Sequence, residues 1–556
     1  MSLHYATAPT ASNADGASPS PMGLPPLVVL VTPTPPDLSA FGVRSISAHL
    51  RRKGLRTRII FLPGSLGLLK QGGTFVYRYP EAALRQVAEH CRGATLVGLS
   101  FMTNYLDRAA QCTRAIQEIA GVPVIWGGVH ATLRPEQALE YADYVCVGEG
   151  EEALLELTAA LTSQTAADAI PGVWTKVDGR IRDNGCRPLI ADLDSLPAPD
   201  VSNVEHYVLD PIHEQIIPLT DALYIDTLPL VPYYHNARLK AYRIMTDRGC
   251  PHRCSYCNVP ALKDKFAGDA VPYFRSRSVP HVMAELEDAL ARFPQIKAVQ
   301  FFDDTFFARP VTWLREFAEQ YKKRIKMPFY CQASPTTLTQ EKLRLLMDAG
   351  MVYVEMGVQT GSPRIRAMYG RKESNAQIVA GARLVHKHVP PLLPPHYHVI
   401  MDNPWETMDD LMQTVQLLHQ IPKPYGLAIS SLVFFPGTAI ARKAMQEGII
   451  DDEEKQVFRQ PFYIPPTRHY PGLLLYLQSF MHFPQSIIAV LLREGPVRRL
   501  LEGRPAWFYG LFHVVGEACR AVAKAWKLIA RGDISRIRAW IDRQRRHDPV
   551  VAGRKG

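Results

Sequence analysis

Cys250-Pro251-His252-Arg253-Cys254-Ser255-Tyr256-Cys257 places three thiols within eight residues, spaced four and then three apart. The stretch follows a strand-like run, residues 241 to 247, and an Arg248-Gly249 turn, so one loop can aim three sulfurs at one place. Three thiolates can hold three irons of a four-iron, four-sulfur cluster and leave the fourth iron open to a ligand. The other reading is a zinc site with His252 as the fourth ligand. Structural zinc sites usually draw paired ligands from two separated places, and the sequence has no second Cys pair.

Working outward from the loop, residues 241 to 438 alternate strands and helices. Strands are expected at 242–246, 298–302, 329–332, 353–357, 397–401 and 428–434. Residues 25 to 165 show the same alternation, with strands at 27–32, 57–61, 95–100, 122–126 and 144–147, which predicts a doubly wound parallel sheet. Ligands on such sheets bind at the carboxyl ends of the strands, near the switch in strand order. Those ends carry Thr32-Pro-Thr-Pro-Pro, Ser100, Thr103, Gly127-Gly128 and Gly148-Glu-Gly-Glu151, small or turn-forming residues that admit a large flat ligand.

The C-x3-C-x2-C motif, its Arg-Gly-Cys-Pro lead-in and Tyr256 resemble the radical SAM superfamily. The resemblance implies a partial (β/α)6 barrel whose Cys250, Cys254 and Cys257 hold a [4Fe-4S] cluster. The open iron would chelate S-adenosylmethionine (SAM), and an electron from the cluster would cleave it to a 5′-deoxyadenosyl radical, with Tyr256 packed over the cluster. Val97-Gly-Leu-Ser100, Gly127-Gly-Val-His130 and Gly148-Glu-Gly-Glu151 resemble the cobalamin-binding domain that precedes one radical SAM class. That domain often carries Asp-x-His-x-x-Gly, whose His ligates cobalt. The motif is missing after the first strand here, and His130 reads as a loop residue. The resemblance therefore implies cobalamin held by Ser100, Thr103, Gly127, Gly128 and Gly148 without a His on cobalt; an empty domain is the alternative.

Chemistry in parallel barrels sits at the carboxyl ends of the strands. By resemblance, Asp303 in Asp303-Asp304-Thr305, Gln332, Ser334 and Gln359 are the expected SAM contacts. Glu355 and Asp402 are the expected substrate contacts. Asp402-Asn403-Pro404-Trp405-Glu406-Thr407 departs from the family's Gly-x-Pro-Gly-Glu-Thr, with Asp402 and Trp405 in the glycine places. Each of these polar residues could instead cap a helix.

The remaining segments bound the function. The chain of 556 residues is 47% apolar and 21% charged, enough for two or three domains. Residues 1–24 are poor in charge and rich in Ala, Ser, Thr and Pro, and read as disordered. Residues 166–240 form a Pro-rich connector with a hairpin turning at Asp178-Gly179; its 223–235 run could line a substrate entrance. Residues 439–556 read as helical. Fifteen Lys/Arg against six Asp/Glu from residue 485 onward, 15 − 6 = +9, supply nearly all of the net +10. Residues 471–492 lack charge but are split by Pro484, which favours two packed helices or a greasy lid over a membrane span. The amphipathic 507–529 stretch fits either a solvated helix or one lying on an anionic membrane. The basic tail has few stacking aromatics, so no nucleic-acid role is expected. Six scattered Cys and the lack of a leader pattern at the start give a cytoplasmic expectation, with peripheral contact at the inner membrane face.

The expected function is SAM cleavage coupled, with cobalamin, to methylation of an unactivated carbon on a lipophilic small molecule. The electron donor would be a flavodoxin or ferredoxin. Cyclisation or oxidative rearrangement without methyl transfer, and a cobalamin- or metal-binding sensor, remain open.

Overall fold

The computed structural model describes residues 24–34, 38–63, 66–71, 74–210, 213–458 and 468–529. The disordered reading of residues 1–24 falls almost wholly outside these, as does the basic run after residue 529.

Strands β1 (Leu27–Thr34), β2 (Arg56–Pro63), β3 (Leu96–Ser100), β4 (Val124–Gly127) and β5 (Tyr144–Cys146) are parallel, in the order β2-β1-β3-β4-β5. Val28, Val29, Val31, Ile59, Ile60 and Val97 are completely buried, because helices cover both faces and a strand buried twice must be apolar throughout. The order reverses between β1 and β3, which sets the ligand crevice there. The sheet is wider than the alternation predicted. The hairpin Val173–Val177 and Arg180–Arg182 extends one edge antiparallel to β5. Tyr207–Asp210 and Gln215–Pro218, inside the expected connector, extend the other edge beside β2.

The second sheet curls into a half-barrel. It runs β6 (Arg238–Ile244), β7 (Ala298–Phe301), β8 (Phe329–Ala333), β9 (Met351–Gln359), β10 (His396–Met401) and β11 (Gly426–Ser431), all parallel. Leu230–Pro232 pairs antiparallel with the start of β6. Val231 packs with Ala241, Ala298, Tyr330 and Tyr353, and the Tyr330 hydroxyl donates to the Pro232 carbonyl at 2.5 Å. The 223–235 run therefore stoppers the amino ends of the strands and does not line an entrance at their carboxyl ends.

The uncharged stretch forms two helices, Tyr470–Gln478 and Gln485–Leu492. They pack outside the barrel on the helix Met408–His419, through Gln478 to the Val415 carbonyl and His419 to Gln485, rather than as a lid. Among the described residues no helix is long and apolar enough to cross a membrane.

Candidate active site

The loop that carries the thiols is anchored before it begins. Asp303, 1% exposed beyond the end of β7, accepts from the Thr246 N–H at 2.6 Å, the Thr246 hydroxyl at 2.8 Å and the Asp247 N–H at 2.8 Å. Arg309, wholly buried, pairs with Asp247 at 2.8 Å and Asp303 at 3.2 Å. Two carboxylates share one guanidinium, which disfavours charge on both: burial, with Arg309 opposing and Asp303 adding to it, pushes the Asp247 carboxyl up to about 7. Gly249 then turns the chain at φ 86°, where a Cβ would lie 2.7 Å from the Tyr273 ring, so only glycine fits.

The three thiols are half-buried on that loop. Burial pushes Cys250 up to about 12 and Cys257 up to about 11, and each also feels Asp304 and Cys254. The Cys257 sulfur caps the helix Asn258–Lys265, accepting from the Val259 N–H at 3.5 Å, and the Cys254 sulfur lies 3.9 Å from Arg371 Nη1. Backbone N–H groups and a guanidinium favour thiolates once a cationic cluster displaces the protons. A cubane takes each thiolate on a different iron, so three thiols spread along one loop suit it.

The expected SAM contacts separate. Asp303 is turned inward as the anchor just described. Its neighbour Asp304 is exposed to the space over the thiols, yet burial by the walls, then Asp303, pushes its carboxyl up to about 6. Asp304, not Asp303, therefore offers an acceptor beside the cysteines. Ser334 is also structural: it is buried, and its hydroxyl shares a 2.8 Å hydrogen bond with Thr336 in the turn after β8. Gln332 is partly open on β8 and pairs in register with Glu355 on β9. Gln359 ends β9 at φ 67°, where the ladder slips between Gly357 and Gln359. Arg371 reaches from the next loop to the Gly357 carbonyl at 2.9 Å and the Tyr256 hydroxyl at 3.3 Å. Tyr256 meets Tyr369 edge-on at 5.0 Å, so it walls the cysteine loop from the side.

Inside the half-barrel Glu355 accepts from His398 at 3.2 Å, and Arg243 donates to Gln300 at 2.9 Å. Burial pushes the Glu355 carboxyl up, but His398 and His396 more than offset it and hold it below the usual value. Asp402 is exposed at φ 58°, just past the end of β10, and accepts from the Ser431 hydroxyl at 2.5 Å.

A cavity of about 410 Å³ lies between the carboxyl edge of the first sheet and the half-barrel. Leu30, Ile46, Ile125 and Leu154 make its floor, and Ser100, Gly127, Gly128 and Gly148 its rim. Gly128 and Gly148 adopt φ 89° and 102°. A Cβ at Gly148 would meet the Phe266 ring at 2.8 Å, so the two domains approach each other over that glycine. An apolar slot with a glycine rim at the strand-order switch fits the nucleotide tail and one face of a cobalamin. Thr103 is absent from this lining: it is 2% exposed and bonded to His130 at 3.3 Å. His130 lies on the short helix Val129–Leu133, not in a loop. It is fully buried against Phe101 and Phe458, and desolvation pushes it down to about 4. It does not reach the cavity.

The far wall of the cavity is Met245 to Gly249, the residues that lead into Cys250. Arg248 spans the gap, pairing with Glu149 at 2.7 Å and Glu151 at 2.5 Å. Arg275 reaches the same Glu149 at 3.0 Å, and Ser45 donates to Glu151 at 2.8 Å. Sequence reasoning passed over Asp304, Arg371 and this four-charge bridge. Arg248, Glu149 and Glu151 lay inside the motifs already singled out, and their opposite charges were the available signal.

The radical SAM superfamily profile matches residues 244–418, and that of the B12 binding domain residues 27–158. An uncharacterized methyltransferase of Pyrococcus horikoshii is 24% identical over 364 residues, 64% of this chain and 70% of that protein. The hopanoid C-2 methylase of Rhodopseudomonas palustris is 22% identical over 48% of this chain, which spans half of that protein. The fold matches the radical SAM methyltransferase TsrM from Kitasatospora setae, solved with tryptophan and a SAM analogue, at a TM-score of 0.58. That match has 16% identity and covers 76% of each chain. It also matches the cobalamin-dependent SAM radical enzyme OxsB at a TM-score of 0.57 and 16% identity, over 81% of this chain and 66% of that one. With a half-barrel behind the three-cysteine loop and a glycine-rimmed sheet domain facing it, the chain carries a B12-binding domain ahead of a radical SAM core.

Proposed function

We propose that this protein methylates an unactivated carbon of a small molecule in a cobalamin-dependent radical SAM reaction. The observation that carries the reading is the shared wall: Met245 to Gly249 closes the cavity on one side and runs into Cys250 on the other. When bound, the cluster with SAM supplies a hydrogen-abstracting radical, and cobalamin supplies the methyl group.

Cys250, Cys254 and Cys257 hold the cluster, and Arg371 neutralises charge beside Cys254. Asp304 accepts hydrogen bonds from the SAM amino group, and Gln332 and Gln359 offer further polar contacts. Ser100, Gly127, Gly128 and Gly148 frame the cobalamin. Glu355, held by His398, receives a donor group of the substrate; Asp402, just past the end of β10, also contacts the substrate. Tyr256 keeps water from the side of the loop.

The substrate class we favour is lipophilic, supported by the similarity to the hopanoid C-2 methylase. Such a substrate would be drawn from a membrane surface, which the C-terminal helices would meet. Electrons come from a flavodoxin- or ferredoxin-type donor.

Anaerobic incubation of reconstituted protein with SAM, cobalamin, reductant and extracted lipids tests the reading. 5′-Deoxyadenosine and a methylated lipid should appear together, and replacing all three cysteines with Ala should abolish both. A protein that binds cobalamin but never forms deoxyadenosine is a sensor, and the enzyme reading fails.

A further inference from the structure

The helix Ala506–Ile529 is turned the opposite way from an ordinary surface helix. Its polar side leans on the protein without being covered by it, the Glu517 and Arg520 side chains being 47% and 40% exposed. Glu517 accepts from the Tyr476 hydroxyl at 2.9 Å, and Arg520 donates to Ser479 at 2.8 Å and stacks on Phe480 at 3.9 Å. Tyr509, also on that side, is 1% exposed. Its apolar side faces outward: Trp507 is 70% exposed, Leu511 54%, Val514 64%, Val515 52%, Val522 68% and Trp526 71%. At 100° per residue these six fall within about one third of the circumference. The preceding short helices add Val490, Val497 and Leu500, exposed by 50%, 44% and 61%. A soluble surface does not leave a contiguous apolar stripe of this kind without a partner.

Charge decides which partner. Arg493, Arg499 and Arg504 are exposed in the segment that leads into the helix, Arg504 lying 5.9 Å from the Phe508 ring, and residues 485–529 hold seven Lys/Arg against three Asp/Glu, 7 − 3 = +4. Two copies meeting through this face would bring like charges together. The chain after residue 529 adds eight Lys/Arg against three Asp/Glu, so it carries more of the same sign and is no complement either. Tryptophans near both ends of an apolar stripe, with a cationic lead-in and no span, match the chemistry of a bilayer interface with anionic headgroups.

We infer that the helix Ala506–Ile529 docks the protein in the plane of an anionic lipid bilayer, with Trp507, Leu511, Val515 and Trp526 inserted among the acyl chains. The inference extends the reading of a substrate drawn from a membrane, but rests on its own observation, the outward stripe.

Co-sedimentation with vesicles tests it, using phosphatidylcholine alone and an equal mixture of phosphatidylcholine and phosphatidylglycerol. The full chain should bind the mixed vesicles with a blue shift of tryptophan emission, and bind phosphatidylcholine weakly. Leu511→Glu/Val515→Glu should weaken binding on the order of a hundredfold while deoxyadenosine formation without vesicles stays unchanged. Arg499→Glu/Arg504→Glu, which leaves the stripe intact, should remove the preference for phosphatidylglycerol. Equal binding by the wild type and both variants overturns the inference. So does failure of the wild type to bind mixed vesicles, or a wild-type dimer in solution that Leu511→Glu/Val515→Glu dissociates. Methylation of a detergent-dispersed substrate is read separately, so a failed docking and a failed methyl transfer give different results.

Discussion

Arg248→Met tests whether the two cofactor domains are held together by charge. In the wild type Arg248 reaches Glu149 at 2.7 Å and Glu151 at 2.5 Å across the domain boundary; its side chain is 26% exposed, and theirs are 14% and 3%. Removing the guanidinium does not strand both acids equally. Glu149 keeps Arg275 at 3.0 Å, whereas Glu151 keeps only the Ser45 hydroxyl at 2.8 Å among the bonds it makes here. The cost is thus dominated by one buried carboxylate without a cation, about 3 kcal/mol, the lower end of the range for breaking a buried pair. Glu151→Gln should cost less, about 1–2 kcal/mol, because Arg248 retains Glu149. The double variant should cost less than the sum, since the penalty of the stranded charge disappears with the charge. Urea unfolding, followed through the tryptophans of both domains, measures all three. A cost for Arg248→Met below about 1 kcal/mol, the range of exposed pairs, or strict additivity, would refute the reasoning. The pH dependence has a definite sign. Burial pushes the Glu149 carboxyl up, but Arg248 and Arg275 outweigh it and leave it below the ordinary 4.5. Its contribution is present above that value and is lost as pH falls through the folded one.

The adjacent acids after β7 should part company. Asp303→Ala, which frees two backbone N–H groups and Arg309, should cost about 3–5 kcal/mol of stability. Asp304→Asn should leave unfolding within about 0.5 kcal/mol of wild type yet reduce deoxyadenosine formation at least tenfold; the reverse pattern would return the SAM contact to Asp303. Gly249→Ala should fold but load less iron on reconstitution, because the added methyl displaces Tyr273; unchanged iron content would contradict that. Glu406 has both carboxyl oxygens buried without a hydrogen-bond partner among the described residues. Burial, with Asp410 and Asp402 nearby, pushes it up to about 8. A raised folded value means its stabilising contribution is full below the ordinary 4.5 and is lost as pH rises through 8. Glu406→Gln should match wild type in mild acid and exceed it by at least about 1 kcal/mol near pH ~9, as thermal melts will show; no crossover would remove the claim.

The parallel strands of both domains were legible because apolar runs of strand length alternate with amphipathic helices. The thiols were legible because a loop ligand set is local in sequence. Direction was not. Nothing in Asp303-Asp304 tells which carboxylate turns under β6 and which faces the thiols, since that depends on Thr246 and Arg309 from other elements. Thr103 was misplaced for the same reason: its hydroxyl follows His130, a residue brought to it by the fold. The strands Tyr207–Asp210 and Gln215–Pro218 were hidden in the connector because each is only four residues long and lacks the dense apolar signature of β1. The helix after residue 505 was recognisable as amphipathic, but only its contacts with Tyr476 and Phe480 reveal that the apolar side faces out.

The most direct test of the central claim is a single-turnover reaction with SAM bearing a deuterated methyl group, run anaerobically with cobalamin present and absent. The account predicts a product that carries the labelled methyl, formed together with deoxyadenosine and only when cobalamin is present. Deoxyadenosine accompanied by an unlabelled, rearranged product would contradict methyl transfer and leave the shared wall between the two sites serving a different reaction.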